Sequence, residues 1–78
     1  MTFIISSRAK KDLDGLPTKD RDAIITKLQT FARTGAGDVK KLQGRPEYRL
    51  RHGVWRAMFE IEDGIIVLRV LHRSAAYD

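Results

Sequence analysis

The chain has 78 residues, a formal net charge of +5 and a pI of about 10.0, so it allows one domain, residues 1–78, with a core of modest stability. It has no cysteine, which excludes disulfides and thiolate zinc sites, and its two histidines cannot build a metal site without carboxylate help. No apolar run approaches the roughly 20 residues that span a bilayer; the expectation is a soluble cytoplasmic protein with no membrane partner, metal or cofactor, whose positive charge seeks an anion.

Residues 2–6 (Thr-Phe-Ile-Ile-Ser) are β-prone and give a first strand. Ser6 or Ser7 caps a helix over residues 8–14, with Ala9 and Leu13 on one face, and Gly15-Leu16-Pro17 ends it. Thr18 caps a second helix over residues 19–33. Ile24, Ile25, Leu28, Phe31 and Ala32 recur there at three- and four-residue spacing, the pattern of a buried stripe. Lys19, Asp20, Arg21, Asp22 and Lys27 form its solvated side. Gly35 and Gly37 supply a stop and a loop, and are too sparse for a phosphate-cradling turn.

From Val39 the period drops toward two. Strands over residues 47–52 and 54–61 meet at His52-Gly53, and Glu62-Asp63-Gly64 turns the chain into an apolar strand over residues 65–71. Alternation sends Tyr48, Leu50, Trp55, Ala57 and Phe59 toward a core and Arg49, Arg51 and Arg56 to the other face. Three guanidiniums on one face repel one another unless an anion lies there or carboxylates such as Glu47 and Glu60 pair with them. Arg69 has the parity of Ile65 and Val67. The order β-α-α-β-β-β gives an α+β fold, a two-helix hairpin packed on one face of a small antiparallel β-sheet, with the arginine face left open to solvent. Nine arginines against six lysines favour forked contacts to phosphate or carboxylate.

His72 has the ordinary pKa for acid-base work; the competing role is a hydrogen-bonded histidine closing a strand. Tyr77 either stacks on a base or donates a proton, or it closes the edge of the core. His52 is read as solvated at its turn and Trp55 as core. No Ser-His-Asp set and no glycosidase-like carboxylate pair is readable.

Lys41-Leu42-x-Gly44, then Tyr48-Arg49-Leu50-Arg51-x-Gly53-x-Trp55-Arg56-x-x-Phe59, then Val70-Leu71-His72-Arg73-x-x-x-Tyr77, resembles the RelE/ParE superfamily of toxins from type II toxin-antitoxin pairs. The resemblance covers nearly the whole chain and implies a RelE-like fold. It also implies one of two activities: metal-independent cleavage of mRNA on the ribosome, which inhibits translation, or inhibition of DNA gyrase without enzymatic activity. A catalytically impaired, antitoxin-binding or regulatory member is the third alternative. The Arg73-x-x-x-Tyr77 tail favours the endoribonuclease branch. Carried over by position, Arg49, Arg51, Arg56, His72, Arg73 and Tyr77 are the catalytic candidates, and Lys40, Lys41, Arg45 and Arg69 the candidates for RNA contact. Arg49 and Arg51 stand where relatives often have lysines, and Gln43 where some have arginine. The general base is left open among His72, a basic residue and a ribosomal group. The partners implied are a cognate antitoxin, in a hetero-oligomer, and mRNA on the ribosome.

Overall fold

The computed structural model of the chain describes residues 2–76. Its elements run β1 (Thr2–Ile5), α1 (Ser7–Asp14), α2 (Thr18–Thr34), β2 (Val39–Lys41), β3 (Tyr48–His52), β4 (Trp55–Ile61) and β5 (Gly64–His72). Ser6 caps α1, its Oγ accepting from the Ala9 N–H at 3.1 Å while donating to the Leu68 carbonyl. Thr18 does not cap α2: it is the first helical residue, and Pro17 precedes it without a side-chain cap bond. Proline's fixed φ favours helix entry and supplies no donor that would need a partner.

The two helices lie on one face of a sheet ordered β1-β5-β4-β3-β2. Ala9 and Leu13 of α1 and Ile24, Leu28 and Ala32 of α2 meet Leu50, Ala57, Phe59, Ile65, Val67 and Val70 of the strands. Phe59, fully buried, is packed by the Phe31 ring at 5.4 Å and the Tyr48 ring at 5.7 Å. Each such large apolar side chain contributes about 1.5–3 kcal/mol on burial. This is the expected hairpin-on-sheet architecture, with two additions. A short fifth strand, β2, pairs with β3, and β1 runs parallel to β5, so the sheet is mixed. Periodicity identifies strands but not their neighbours or direction, which is why the parallel pair was not legible.

The β4–β5 hairpin turns at Asp63, in the left-handed region at φ 54°, and Gly64. Gly64 lies under β1 with φ 150°; a Cβ there would collide with the Thr2 carbonyl and come within 2.7 Å of the Thr2 Cβ. Only glycine lets the first strand approach so closely.

A bulge breaks the β4–β5 register: Met58 pairs with Arg69 while Phe59 pairs with Val67, leaving Leu68 extra. An inserted residue flips the parity beyond it. Val70 therefore joins the core, and Arg69 leaves the Ile65–Val67 face on which simple alternation would put it. Asp12 of α1 covers the bulge by accepting the Val70 N–H at 2.9 Å.

Candidate functional site

Cross-strand register gathers the basic residues on the sheet face away from the helices. Lys40 pairs with Arg49, Arg49 with Met58 and Met58 with Arg69 in one row, and Arg51 pairs with Arg56 and Arg56 with Leu71 in the next. Strands lie about 4.8 Å apart, so the backbone does bring these positions together. The side chains then diverge.

Arg56, expected on an open surface, is 7% exposed. Its Nη1 donates to the carbonyls of Gly53 at 2.8 Å and Trp55 at 3.0 Å, bracing the β3–β4 turn. Met58 and Leu42 are buried as well, outside the main core cluster, and Arg49 is half-buried. The face is thus not bare, as alternation alone had suggested. Residues 42–47 fold back through the Leu42 N–H to the Glu47 carbonyl at 3.0 Å, and the 73–76 turn arrives from the other side. Between them runs a groove of about 450 Å³, bordered by Glu47, Met58, Leu68, Arg69, Leu71 and Ala75.

Arg51 turns to the sheet edge. Its Nε donates to Asp38 Oδ2 at 2.7 Å, and the side chain borders a hollow shared with Lys27 and Thr30 of α2. Arg69 forks onto Asp12, with Nε to Oδ2 at 2.8 Å and Nη2 to Oδ1 at 3.3 Å. Burial opposes ionisation of Asp12. The Arg69 and Val70 hydrogen bonds and the charges of Arg69 and Arg8 outweigh it and hold the carboxyl below its ordinary pKa. The hydrogen bond to Asp12 likewise raises the pKa of Arg69. Lys41 Nζ donates to the Arg45 carbonyl at 2.6 Å and lies over the Tyr48 ring, while the Arg45 guanidinium is 3.7 Å from Glu47. Lys40 is exposed.

His72 and Arg73, at the end of β5, are both exposed. The Arg73 N–H donates to the Val54 carbonyl at 2.7 Å and the Ala75 N–H to the His72 carbonyl at 2.8 Å, which closes a turn. His72 Nδ1 lies 2.9 Å from Ser74 Oγ and accepts the Ser74 N–H at 3.2 Å. The ring stands edge-on to Trp55 at 5.7 Å, and Trp55 packs on the core as expected. Tyr77 lies outside the described residues.

His52 is not solvated. Its Nδ1 accepts from Lys27 Nζ at 2.8 Å, so its Nε2–H donates to Asp20 Oδ1 at 3.2 Å. An ammonium can only donate, which fixes the tautomer. The pair of bonds ties the β3–β4 turn to α2, opposite the brace made by Arg56.

Asp12, Asp38 and Ser74 were missed in the sequence. Asp12 sits 57 positions from its partner Arg69, beyond any local pattern; Ser74, two residues after His72, was the one local signal. Among the described residues, no cluster of three or more His, Cys, Asp or Glu could hold a metal ion, and no helix is long and apolar enough to cross a membrane.

A family model described as the ParE toxin of the type II toxin-antitoxin system parDE matches residues 3–77. The chain belongs to this toxin family. Among solved structures the toxin is similar to the RelB-RelE antitoxin-toxin complex of Methanococcus jannaschii. That match has a TM-score of 0.79 and 29% identity over 94% of this chain and 93% of the other. It is also similar to the toxin-antitoxin complex RelBE2 of Mycobacterium tuberculosis. There the TM-score is 0.74, with 25% identity over 88% of this chain and 93% of the other. None of the curated proteins matches the chain.

Proposed function

We propose that this toxin is a ribosome-dependent endoribonuclease that cuts mRNA through the ribose 2′-hydroxyl. The 2′-oxygen attacks the adjacent phosphorus, the bond to the 5′-oxygen breaks, the 2′ proton leaves to a base and the 5′-oxygen takes up a proton. The products are a 2′,3′-cyclic phosphate and a free 5′-hydroxyl. Guanidinium groups suit the step in which charge builds on the phosphorane, because they donate in a fixed fork and stay protonated. The observation that supports the reading is the row of basic residues that cross-strand register gathers on the face away from the helices, Lys40, Arg49 and Arg69, the last of them bordering the groove, with the exposed Arg73 just past the end of β5.

The side-chain partners divide the earlier candidates. Arg73, His72 and Lys40 are exposed where RNA would meet them, and the half-buried Arg49 lies beside Lys40 across the β2–β3 pair. Arg56 supports the turn on which Trp55 and His72 rest. Arg51 and Arg69 reach phosphate by exchanging it for Asp38 and Asp12, and Lys41 and Arg45 shape the 42–47 loop. Tyr77 keeps its proposed stacking or donor role from the resemblance.

A cognate antitoxin is the second partner, as in the two similar complexes. An acidic, amphipathic segment fits a face with cations on the β2–β3 side and Met58, Leu68 and Leu71 in the groove; it would order on binding. Primer-extension mapping of mRNA after induction tests the reading: discrete in-frame cuts that depend on translation are expected, and intact transcripts during growth arrest would reject it. Inhibition of gyrase, the other activity that the resemblance implies, is the alternative reading.

A further inference from the structure

We propose that Ser74 is a positioning residue that fixes the tautomer of His72 and thereby makes Nε2 a hydrogen-bond donor to a phosphate oxygen. The role toward phosphate rests on the ribonuclease reading; the tautomer does not.

A backbone N–H can only donate. The Ser74 N–H points at His72 Nδ1 from 3.2 Å, so Nδ1 is an acceptor and the neutral ring carries its proton on Nε2. The Ser74 hydroxyl, 2.9 Å from the same nitrogen, adds a second donor in that state. When the ring takes a second proton it must go on Nδ1, and the hydroxyl, which can act either way, turns to accept it. Nε2 therefore keeps its proton in both charge states. Trp55, edge-on at an interplanar angle of 87°, restrains the ring from another side. The turn beneath it is pinned by the Arg73 N–H to Val54 and the Ala75 N–H to His72.

The consequence for chemistry is specific. For His72 to accept the 2′-hydroxyl proton at Nε2, the ring would need its proton on Nδ1, and the Ser74 N–H would lose its acceptor. His72 is thus the donor that meets an anionic oxygen, with Arg73 beside it, and the base that starts the reaction is another group. A hydrogen bond from an imidazole N–H to phosphate is charge-assisted and directional.

Two-bond proton–nitrogen correlation spectra of the 15N-labelled chain read the tautomer directly. They are recorded at about pH 8.5, roughly two units above the ordinary histidine pKa, with the His72 signals assigned by their loss in His72→Gln. The expected pattern is an unprotonated Nδ1 and a protonated Nε2, more one-sided than the same residue shows in denaturant. Ser74→Pro, which removes both donors, should move both nitrogens toward the denatured average, and Ser74→Thr should leave them in place. Inorganic phosphate should shift the His72 Nε2 signal in the wild type. In the cleavage assay, kcat of Ser74→Pro should fall about fivefold at unchanged melting temperature, with Ser74→Thr restoring it.

An averaged or Nδ1-protonated wild-type pattern, a Ser74→Pro spectrum like the wild type, or no response to phosphate would overturn the assignment. If the wild-type chain cuts no mRNA, the ribonuclease reading fails by itself, and the nitrogen spectra still decide the role of Ser74.

Discussion

Arg56→Ala is expected to destabilise the toxin before it says anything about catalysis. The guanidinium is nearly buried and gives two bonds from a charged donor to the Gly53 and Trp55 carbonyls. Hydrogen bonds to charged groups contribute about 1.5–3 kcal/mol each; two from one group are not additive, so the loss is about 2–4 kcal/mol. Domains of this kind are stable by only about 5–15 kcal/mol, and about 1 kcal/mol moves the midpoint by about 4–8 °C at this size. A fall of roughly 10–30 °C in Tm follows. The control is Arg73→Ala, which removes an exposed side chain and keeps the backbone bond to Val54; its stability should stay within about 0.5 kcal/mol of wild type. Thermal melting by circular dichroism, run beside growth assays of induced cells, separates the two. Arg73→Ala should be folded and non-toxic, and Arg56→Ala non-toxic because it is destabilised. If Arg56→Ala melts with the wild type, the brace on the β3–β4 turn is not what holds that end of the sheet.

Gly64→Ala should cost about 2–5 kcal/mol, from backbone strain and the collision with Thr2 together. Gly44→Ala, also at positive φ but in open space, should cost about 1 kcal/mol; equal losses in urea melts would mean that β1 does not dock against Gly64. Asp12 is held below its unfolded pKa, so the stability it contributes is complete above about pH 4 and is lost as pH falls through the lower folded value. Asp12→Asn should therefore lower stability at neutral pH and flatten the acid limb of the stability curve; an acid limb as steep as the wild type's would contradict the Asp12 assignment. His52→Ala should loosen the β3–β4 turn, read as faster amide exchange at Gly53 and Val54 with little change in α1; unchanged exchange would show that the bonds to Asp20 and Lys27 do not hold it.

What sequence could and could not reveal divides along a physical line. The stripe Ile24–Leu28–Ala32 and the alternation Tyr48–Leu50 and Ala57–Phe59 are repeated apolar signals, and each marks an element within a residue or so of its observed bounds. The resemblance carried by Arg49 to Phe59 and by His72 to Tyr77 then led to the family. The parallel β1–β5 pair left no such mark, because Thr2 and Gly64 meet only through the fold. Alternation placed three arginines on one face correctly by backbone register, yet could not foresee where long side chains end. Arg51 reaches Asp38 at the edge, Arg56 turns back on its own turn, and the bulge at Leu68 sends Arg69 to Asp12. Those partners depend on one inserted residue and on carboxylates far away in the chain. The expectation of a bare cationic sheet was too simple for that reason, while the exposed His72–Arg73 end was legible because it follows the last strand directly.

The most direct measurement adds purified toxin to a translating extract and, in parallel, to a gyrase supercoiling reaction. Cleaved mRNA bearing 2′,3′-cyclic phosphate ends, with supercoiling untouched, is the predicted result. Arrested supercoiling with intact mRNA would contradict the account and assign the cationic surface to protein binding.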